Sequence, residues 1–167
     1  MTSKRVVKIG KTKVCSPEFG VTTVETSGAS SHAHRRIPCR ECPWRKDVPT
    51  GVFPAEAFRT SAHTAYDSAT ETFGCHMNKA SAPATCAGFL LRHGENNIGV
   101  RLALSGDRID LDAVEDGGYP VYESYREMAI ANGVDPLDPV LERVRARDDV
   151  WDRETGRWVP RHPEKEE

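Results

Sequence analysis

The stretch IPCRECPWRKD (residues 37–47) places Cys39 and Cys42 three positions apart in a chain that has five cysteines in all. A C-x-x-C loop brings two sulfur atoms to the same side of a tight turn, as two ligands of one metal ion require. Pro38 and Pro43 flank the cysteines, so the loop offers little apolar core in which they could be buried as hydrophobic residues. We therefore interpret Cys39 and Cys42 as the first half of a metal-ligand set.

Cys75 and Cys86 provide the second half of the predicted set. They follow after 32 and then ten intervening residues, a less compact spacing than a second C-x-x-C pair would have. Four thiolates close a tetrahedron around Zn²⁺, and they are equally the ligands of a [4Fe-4S] cluster. Two other interpretations stay open. The cysteines could be buried free thiols, or a thioredoxin-like dithiol, although the strand-then-helix context of that motif is absent.

His76 and Cys15 are two further residues with metal-binding chemistry. His76 directly follows Cys75, so it could replace a cysteine ligand or donate a hydrogen bond to a ligand sulfur. Cys15 lies far from the other cysteines in a basic segment, and we expect it to be a free thiol.

The sequence lacks the common catalytic motifs. PCREC (residues 38–42) matches half of the zinc nucleobase deaminase signature, but the only upstream histidine motif, HAH (residues 32–34), has no glutamate to move protons. P-loop, nucleophile-elbow and H-E-x-x-H motifs are also absent. We therefore expect a protein that is not an enzyme, and the sequence identifies no small-molecule substrate.

Length and hydropathy limit the class of protein. With 167 residues and a mean hydropathy of -0.56, the chain suits one domain with tails, and it has no apolar run long enough to span a membrane. The first residues are basic and show no secretory signal, so we expect a cytoplasmic protein. Cytoplasmic thiols stay reduced, which favours metal binding over structural disulfides for close cysteine pairs.

Charge divides the chain into three segments. We predict a basic flexible appendage in residues 1–36, a four-cysteine metal-binding domain in 37–105, and an acidic helical extension in 106–167 that ends in a hairpin and a charged tail. Residues 1–46 hold 10 Lys and Arg against 3 Asp and Glu, whereas 106–167 hold 9 against 17. This asymmetry is typical of a nucleic-acid-binding arm beside an acidic region, or of two ends that attract each other.

Basic side chains also cluster around the first cysteine loop. With an aromatic ring among them they form a candidate nucleic-acid surface, on which the cations contact phosphates and the indole stacks on a base. The alternative is that the ring packs on the metal site and the charges are solvated. The predicted nucleic-acid-binding residues are Arg35, Arg36, Arg40, Trp44, Arg45 and Lys46.

Periodicity and turn signals predict an α+β fold, namely a small, mostly helical, metal-stabilised domain with short strands and a C-terminal hairpin. NNIGVRLALSG (residues 96–106) fits either a helix or a strand. DVWDRETGRWVP (residues 149–160) predicts the hairpin, whereas the N-terminal residues offer at most a short edge strand. The predicted helices follow Pro54, run from Pro83 to Gly94, end at Asn132 and follow Pro139.

Two stretches carry a resemblance to known sequences: PCRECPWRKDVPTGVFPAEAFR (residues 38–59) and FGCHMNKASAPATCAGFLLRHGENNIGVRLA (residues 73–103). With their PCxxCPWR and CH...CAG motifs they resemble a functionally uncharacterised family of small actinobacterial and phage proteins, over about residues 37–105. The resemblance implies no activity. It implies metal binding by Cys39, Cys42, Cys75 and Cys86.

We interpret the chain as a non-enzymatic four-cysteine module. One metal centre, with Zn²⁺ as the expected ion, would compensate for a small core, and the surface would bind a nucleic acid or a host protein. The alternative is an iron-sulfur protein with a redox, sensory or enzymatic role. Pro43 directly after Cys42 matches the end of a bacterial ferredoxin motif, but the spacing of 32 residues does not.

Overall fold

The computed structural model describes residues 4–28, 32–146 and 148–161, and its helices and two β-hairpins confirm the α+β class. Residues 29–31 of the predicted flexible appendage and most of the charged tail lie outside the described residues. In chain order the elements are β1 (Val6–Val14), β2 (Gly20–Ser27), α1 (Ala55–Ser61), α2 (Ala87–His93), α3 (Ile98–Ser105), α4 (Tyr125–Ala131), β3 (Asp149–Asp152) and β4 (Arg157–Pro160).

The helices are short, with seven or eight residues each, and the nine-residue strand β1 exceeds all of them. The prediction of a mostly helical domain is therefore only partly confirmed. None of the helices in the described ranges has the length and hydrophobicity that a membrane crossing needs.

Capping side chains set where α3 and α4 begin. Asn97 accepts a hydrogen bond from the Val100 N–H, and Ser124 accepts one from the Glu127 N–H. Both bonds satisfy backbone donors that the first helical turn leaves free. The segment that fitted a helix or a strand is therefore a helix, and α4 ends before Asn132 as predicted.

Two predicted helices are shorter than expected. α2 begins at Ala87 rather than near Pro83, because the residue before Ala87 is still extended, with φ -69° and ψ 133°. Pro139 opens only a 3₁₀ turn of three residues. Val144 then forms a β-bridge with Tyr66, and this pairing draws the chain away from a helical path.

Trp44 lies at the centre of the core and is fully buried. Its indole packs edge-on against the rings of Phe73, Phe89 and Tyr125, at centroid distances of 6.0, 6.4 and 5.9 Å. Such edge-to-face pairs add quadrupole attraction to the burial of apolar surface. Phe89 belongs to α2 and Tyr125 to α4, so the indole joins two helices that are distant in sequence.

The core continues across the predicted boundary at residue 105. Tyr125, Met128 and Leu141, from the segment that we expected to be an acidic extension, belong to the same buried cluster as Trp44 and Phe58. This part of the acidic segment therefore packs into the core of the domain and does not form a separate extension.

The N-terminal segment is a docked hairpin in its described part, and not the flexible appendage that we predicted. β1 and β2 pair antiparallel. The valines and threonines of β2 are β-branched and favour a strand, although the polar composition of this segment had suggested a flexible one. Three contacts fix the hairpin to the domain: Arg5 donates to the Pro83 carbonyl at 2.7 Å, Lys13 pairs with Glu56 at 2.6 Å, and the Phe19 ring packs on Phe53 at 5.4 Å.

Candidate metal centre

Three of the four predicted ligands each begin a tight turn. Hydrogen bonds close these turns from the Cys42 N–H to the Cys39 carbonyl (3.1 Å), from the Arg45 N–H to the Cys42 carbonyl (3.0 Å) and from the Asn78 N–H to the Cys75 carbonyl (3.0 Å). From the wider spacing of Cys75 and Cys86, we expected this pair to lack the tight turn of the first pair. Cys75 nevertheless stands at the start of the same kind of turn as Cys39 and Cys42.

Each turn also directs a backbone N–H at the sulfur of its first residue. An N–H that points at sulfur stabilises the thiolate relative to the thiol, and the thiolate is the form that binds metals. The donors stand two positions after each cysteine: Glu41 for Cys39, Trp44 for Cys42 and Met77 for Cys75.

Cys75 and Cys86 stand on backbone segments that pair side by side with a third segment. Thr85 forms β-bridges with His34 on one side and with Gly74 on the other. Backbone hydrogen bonds of 2.8 Å from the Cys75 N–H and 2.9 Å from the Cys86 N–H continue this pairing. The segment around His34, which we predicted to belong to the flexible appendage, is therefore part of the frame that holds two of the cysteines.

The four thiols form a chain of neighbours in the order Cys75, Cys39, Cys42 and Cys86, here termed the cysteine cluster. Cys39 contacts both Cys42 and Cys75, and the sulfurs of Cys42 and Cys86 lie 3.6 Å apart. All four are free thiols, and their exposure ranges from 0% at Cys42 to 8% at Cys39. The cysteines that the sequence singled out thus meet in one buried place.

Mutual contact and burial raise the pKa of three of these thiols. Contact with Cys42 raises the pKa of Cys39, contact with Cys39 raises the pKa of Cys75, and burial adds to both. Contact with Cys39 lowers the pKa of Cys42, but contact with Cys86 and burial outweigh it, and the pKa is raised. These thiols therefore stay protonated at neutral pH unless a cation reverses the balance.

The four sulfurs of the cysteine cluster are not arranged around one common point. In residues 4–28, 32–146 and 148–161, no group of three or more His, Cys, Asp or Glu side chains is arranged so that it could hold a metal ion. The sulfurs are close in pairs, and a shared ion would require rotation of cysteine side chains. Metal binding and the identity of the metal stay predictions.

His76 lies beside the cysteine cluster, whereas Cys15 lies elsewhere. The Nδ1 atom of His76 is 3.9 Å from the Cys39 sulfur, and its ring packs edge-on against Phe53 at 4.9 Å. Cys15 follows β1, with its sulfur 3.8 Å from the Thr60 hydroxyl. This location agrees with the prediction that Cys15 is a free thiol outside the ligand set.

Most of the predicted nucleic-acid patch is occupied by contacts within the chain. Trp44 is fully buried, which corrects the prediction that its ring stacks on a base. Arg45 donates two hydrogen bonds, of 2.9 and 2.6 Å, to the Asp47 carboxylate, and its guanidinium lies 3.5 Å from the centre of the Tyr119 ring. Its charge is therefore neutralised before it could meet a phosphate.

The other basic residues of the patch differ in exposure. Lys46 pairs with Glu127 at 3.0 Å. Arg40 pairs with its neighbour in sequence, but its side chain is 80% exposed. Arg36 is exposed and Arg35 is half-buried. Arg36 and Arg40 are thus the two members of the patch that stay open to solvent.

A broad groove of about 920 Å³ runs between residues 32–36 and 107–112. His32, His34 and Arg108 line it, together with aspartates of the second segment, and none of the four cysteines reaches it. No sequence motif predicts this groove, because its walls come from segments more than 70 positions apart.

Residues 34–145 match the family of unknown function DUF6283. The match runs from the His34 bridge through the cysteine cluster to the end of the core, and it covers more than half of the chain. No curated protein and no solved structure matches the chain.

Proposed function

The chain belongs to this family of unknown function, and we propose that it is a non-enzymatic module in which the cysteine cluster holds one zinc ion. The observation that carries the proposal is the 3.6 Å separation of the Cys42 and Cys86 sulfurs. Four thiolates around one Zn²⁺, at about 2.3 Å per bond, stand about 3.8 Å apart. This pair of thiols therefore has close to the spacing of two ligands of one ion.

The same spacing favours a single ion over the alternative cofactor, a [4Fe-4S] cluster. In that cluster each thiolate binds a different iron, so the sulfurs lie farther apart than ligands that share one metal. The spacing also differs from that of a disulfide, in which the sulfurs are about 2.05 Å apart. An iron-sulfur protein with a redox or sensory role is accordingly the second candidate.

The ion would join parts of the chain that are distant in sequence. The first cysteine loop, the turn at Cys75 and the residue before α2 lie side by side, so rotation of their side chains could bring four sulfurs to a common point. The ligands are dispersed in the unfolded chain, so the free energy of metal binding adds to that of folding. The N–H groups that point at three of the sulfurs would stabilise the bound thiolates.

We place the partner of the module, a nucleic acid or a host protein, at Arg36 and Arg40 rather than on the whole predicted patch. Trp44 belongs to the core, and the charges of Arg45 and Lys46 are paired with carboxylates. Two exposed guanidinium groups give a weak and salt-sensitive contact with phosphates. The resemblance to actinobacterial and phage proteins fits either partner.

Metal analysis of the full chain, purified without oxygen, tests the proposal. We expect a colourless protein with about one zinc ion per chain. Serine at any one of Cys39, Cys42, Cys75 or Cys86 should abolish binding. Cys15→Ser is the matched control and should keep the metal, because that thiol lies outside the cluster.

Removal of the metal with a chelator should lower the thermal midpoint of unfolding, since the ligands lose their common ion. A brown protein with several iron atoms per chain would reject zinc and support the iron-sulfur alternative. A protein without metal, whose melting curve is unchanged by chelator or by added zinc, would refute the proposal. Retention of zinc in Cys75→Ser together with its loss in His76→Ala would move one ligand position to the histidine.

A further inference from the structure

We propose that the groove between residues 32–36 and 107–112 binds a mononucleotide, with the phosphate of the ligand at Arg36 and Arg108. The four predicted metal ligands do not line this groove, so the inference goes beyond the proposed function and needs no bound metal. The ligand class follows from the charges along the groove and from a smaller cavity beside it.

Backbone hydrogen bonds hold the two walls of the groove side by side. The His32 N–H donates to the Arg108 carbonyl at 2.8 Å. Beyond the groove, the Glu115 N–H donates to the Arg36 carbonyl at 2.8 Å. The His32 side chain is fixed as well, with its Nε2 atom 2.8 Å from the Thr85 hydroxyl. The groove is therefore formed without a ligand, as small-molecule sites usually are.

Arg36 and Arg108 give the groove two guanidinium groups that no carboxylate neutralises. Both side chains belong to exposed residues, and Arg108 donates to the Leu102 carbonyl at 3.3 Å. Among the described residues, the arginines that do pair with carboxylates are Arg40, Arg45, Arg59, Arg92 and Arg145. A guanidinium presents a planar fork of N–H donors that matches the oxygen atoms of a phosphate.

Positive charge also prevails around His32, on the first wall of the groove. Burial lowers the pKa of His32, and the charges of His34, Arg108 and Arg5 lower it further. The field that disfavours another cation at His32 favours an anion there. An anionic ligand is therefore expected at this end of the groove.

The second wall carries carboxylates besides Arg108. Asp107, Asp110 and Asp112 are exposed and line the groove. Carboxylates accept hydrogen bonds from hydroxyl groups and repel phosphates. A ligand that fits both walls therefore combines a phosphate with hydroxyl groups, as a ribose phosphate does.

A smaller cavity of about 130 Å³ adjoins the groove and shares Leu111 and Asp112 with it. Leu90 and Leu91 also line this cavity, so three leucines offer apolar contact. Such contacts suit a flat heterocyclic base, whereas the groove itself, of about 920 Å³, has room for a sugar and a phosphate. A base, a sugar and a phosphate together make a mononucleotide.

Isothermal titration calorimetry of the full-length protein with adenosine monophosphate tests the inference. We expect binding, with an affinity that falls about tenfold in Arg36→Gln and in Arg108→Gln, because each loses a charge-assisted hydrogen bond. Arg40→Gln and Arg101→Gln are the matched controls. Each removes an exposed guanidinium that does not line the groove, and each should keep the wild-type affinity.

Two partial ligands test the assignment of the groove to a whole nucleotide. Inorganic phosphate and adenosine should each bind at least about tenfold more weakly than adenosine monophosphate, because each lacks contacts that the complete ligand makes. Phosphate that binds as tightly as the nucleotide would reduce the site to an unspecific anion contact and overturn the inference.

Other outcomes also count against a mononucleotide in the groove. Absence of binding at millimolar adenosine monophosphate would overturn the inference, and so would equal affinities of Arg108→Gln and Arg101→Gln. A loss in Arg40→Gln as large as in Arg36→Gln would place the phosphate outside the groove. A wild type that binds an oligonucleotide but no mononucleotide would assign the arginines to nucleic acid instead. Failure to bind zinc would refute the proposed function alone, because the groove contains none of the cysteines.

Discussion

Gly88 and Trp44 lie so close that no side chain fits between them, because a Cβ atom at Gly88 would stand 2.6 Å from Cγ of the indole. Gly88 follows Cys86 by two positions on α2, and Trp44 follows Cys42 by two positions. The contact therefore holds the start of α2 against the first cysteine loop. It helps to set the distance between the two sulfurs that are 3.6 Å apart.

We expect Gly88→Ala to lower the free energy of unfolding by about 1–3 kcal/mol, the usual cost of overpacking a core. The cost exceeds the gain of up to about 1 kcal/mol that Ala has over Gly in a helix. Chemical denaturation measures the change. Gly94→Ala is the matched control, since its Cβ would lie 3.6 Å from Leu111, an ordinary contact. Equal stability of both variants would contradict the packing at Trp44.

His93 is a buried histidine that is held in its neutral form. Its Nε2 atom accepts a hydrogen bond from the Tyr125 N–H at 2.9 Å, which leaves the ring proton on Nδ1. In the described part of the chain Nδ1 makes no hydrogen bond of normal geometry, although the Arg145 backbone is near enough to act on the ring. Burial lowers the pKa of His93 to about 4, against an opposing effect of the Arg145 backbone, and the charge of Arg92 lowers it further.

Acid should therefore destabilise the fold through His93. The unfolded chain takes up the proton near pH 6.5 and the folded chain only near pH 4, so this stability is complete above pH 6.5 and is lost as the pH falls between these values. The loss amounts to about 3 kcal/mol. Denaturation of metal-free protein over this range measures it, because bound metal would add its own pH dependence. His93→Gln stays neutral, and an undiminished pH dependence in that variant would exclude His93 as the cause.

Arg45 braces the first cysteine loop. Its Nη1 atom donates to the carbonyls of Cys39 (3.3 Å) and Arg40 (3.4 Å), while Asp47 holds the other side of the guanidinium and Tyr119 lies against its face. The side chain is only 10% exposed. These contacts fix the backbone on which Cys39 stands.

Arg45→Ala should loosen this loop and weaken zinc affinity by about tenfold, the lower end of the effect of groups that orient metal ligands. Chelator competition gives the affinity. Arg40→Ala serves as the control in the same loop, since that guanidinium is 80% exposed and should contribute nothing measurable. A larger effect of Arg40→Ala than of Arg45→Ala would refute the bracing role.

Local chemistry made several elements predictable from the sequence. Pro54 precedes α1, Asn132 follows α4, and the C-terminal hairpin pairs Trp151 with Trp158, because caps, turn residues and alternation act over a few positions. The grouping of the four cysteines could also be predicted, since a C-x-x-C loop indicates metal binding and a metal site needs further ligands nearby.

The features that could not be predicted from the sequence depend on contacts between segments that are distant along the chain. Trp44 stands among arginines and suggested a stacking residue, yet α2 and α4 cover its ring. Lys46 suggested a phosphate contact, but its partner Glu127 comes from a helix far along the chain. Such pairings depend on the packed arrangement of elements, which periodicity within one segment does not specify.

We expect Arg36 and Arg40 to provide the phosphate contacts if a nucleic acid binds at the surface beside the cysteine cluster. We expect weak binding of DNA or RNA at low salt, because the two exposed guanidinium groups can each release a counterion from a phosphate. Arg36→Ala and Arg40→Ala should each reduce the slope of log affinity against log salt by about one. Fluorescence anisotropy of a labelled oligonucleotide over a salt series measures both slopes.

Lys46→Ala is the control for this measurement, because its ammonium group is 3.0 Å from the Glu127 carboxylate and should not contact a phosphate. Its salt slope should equal that of the wild type. An equal loss of slope in Lys46→Ala and Arg36→Ala would mean that the ion pair opens on binding, and would contradict the restriction of the surface to two arginines. If the wild type binds no oligonucleotide even at low salt, phosphate contact is excluded, and the host protein becomes the partner at this surface.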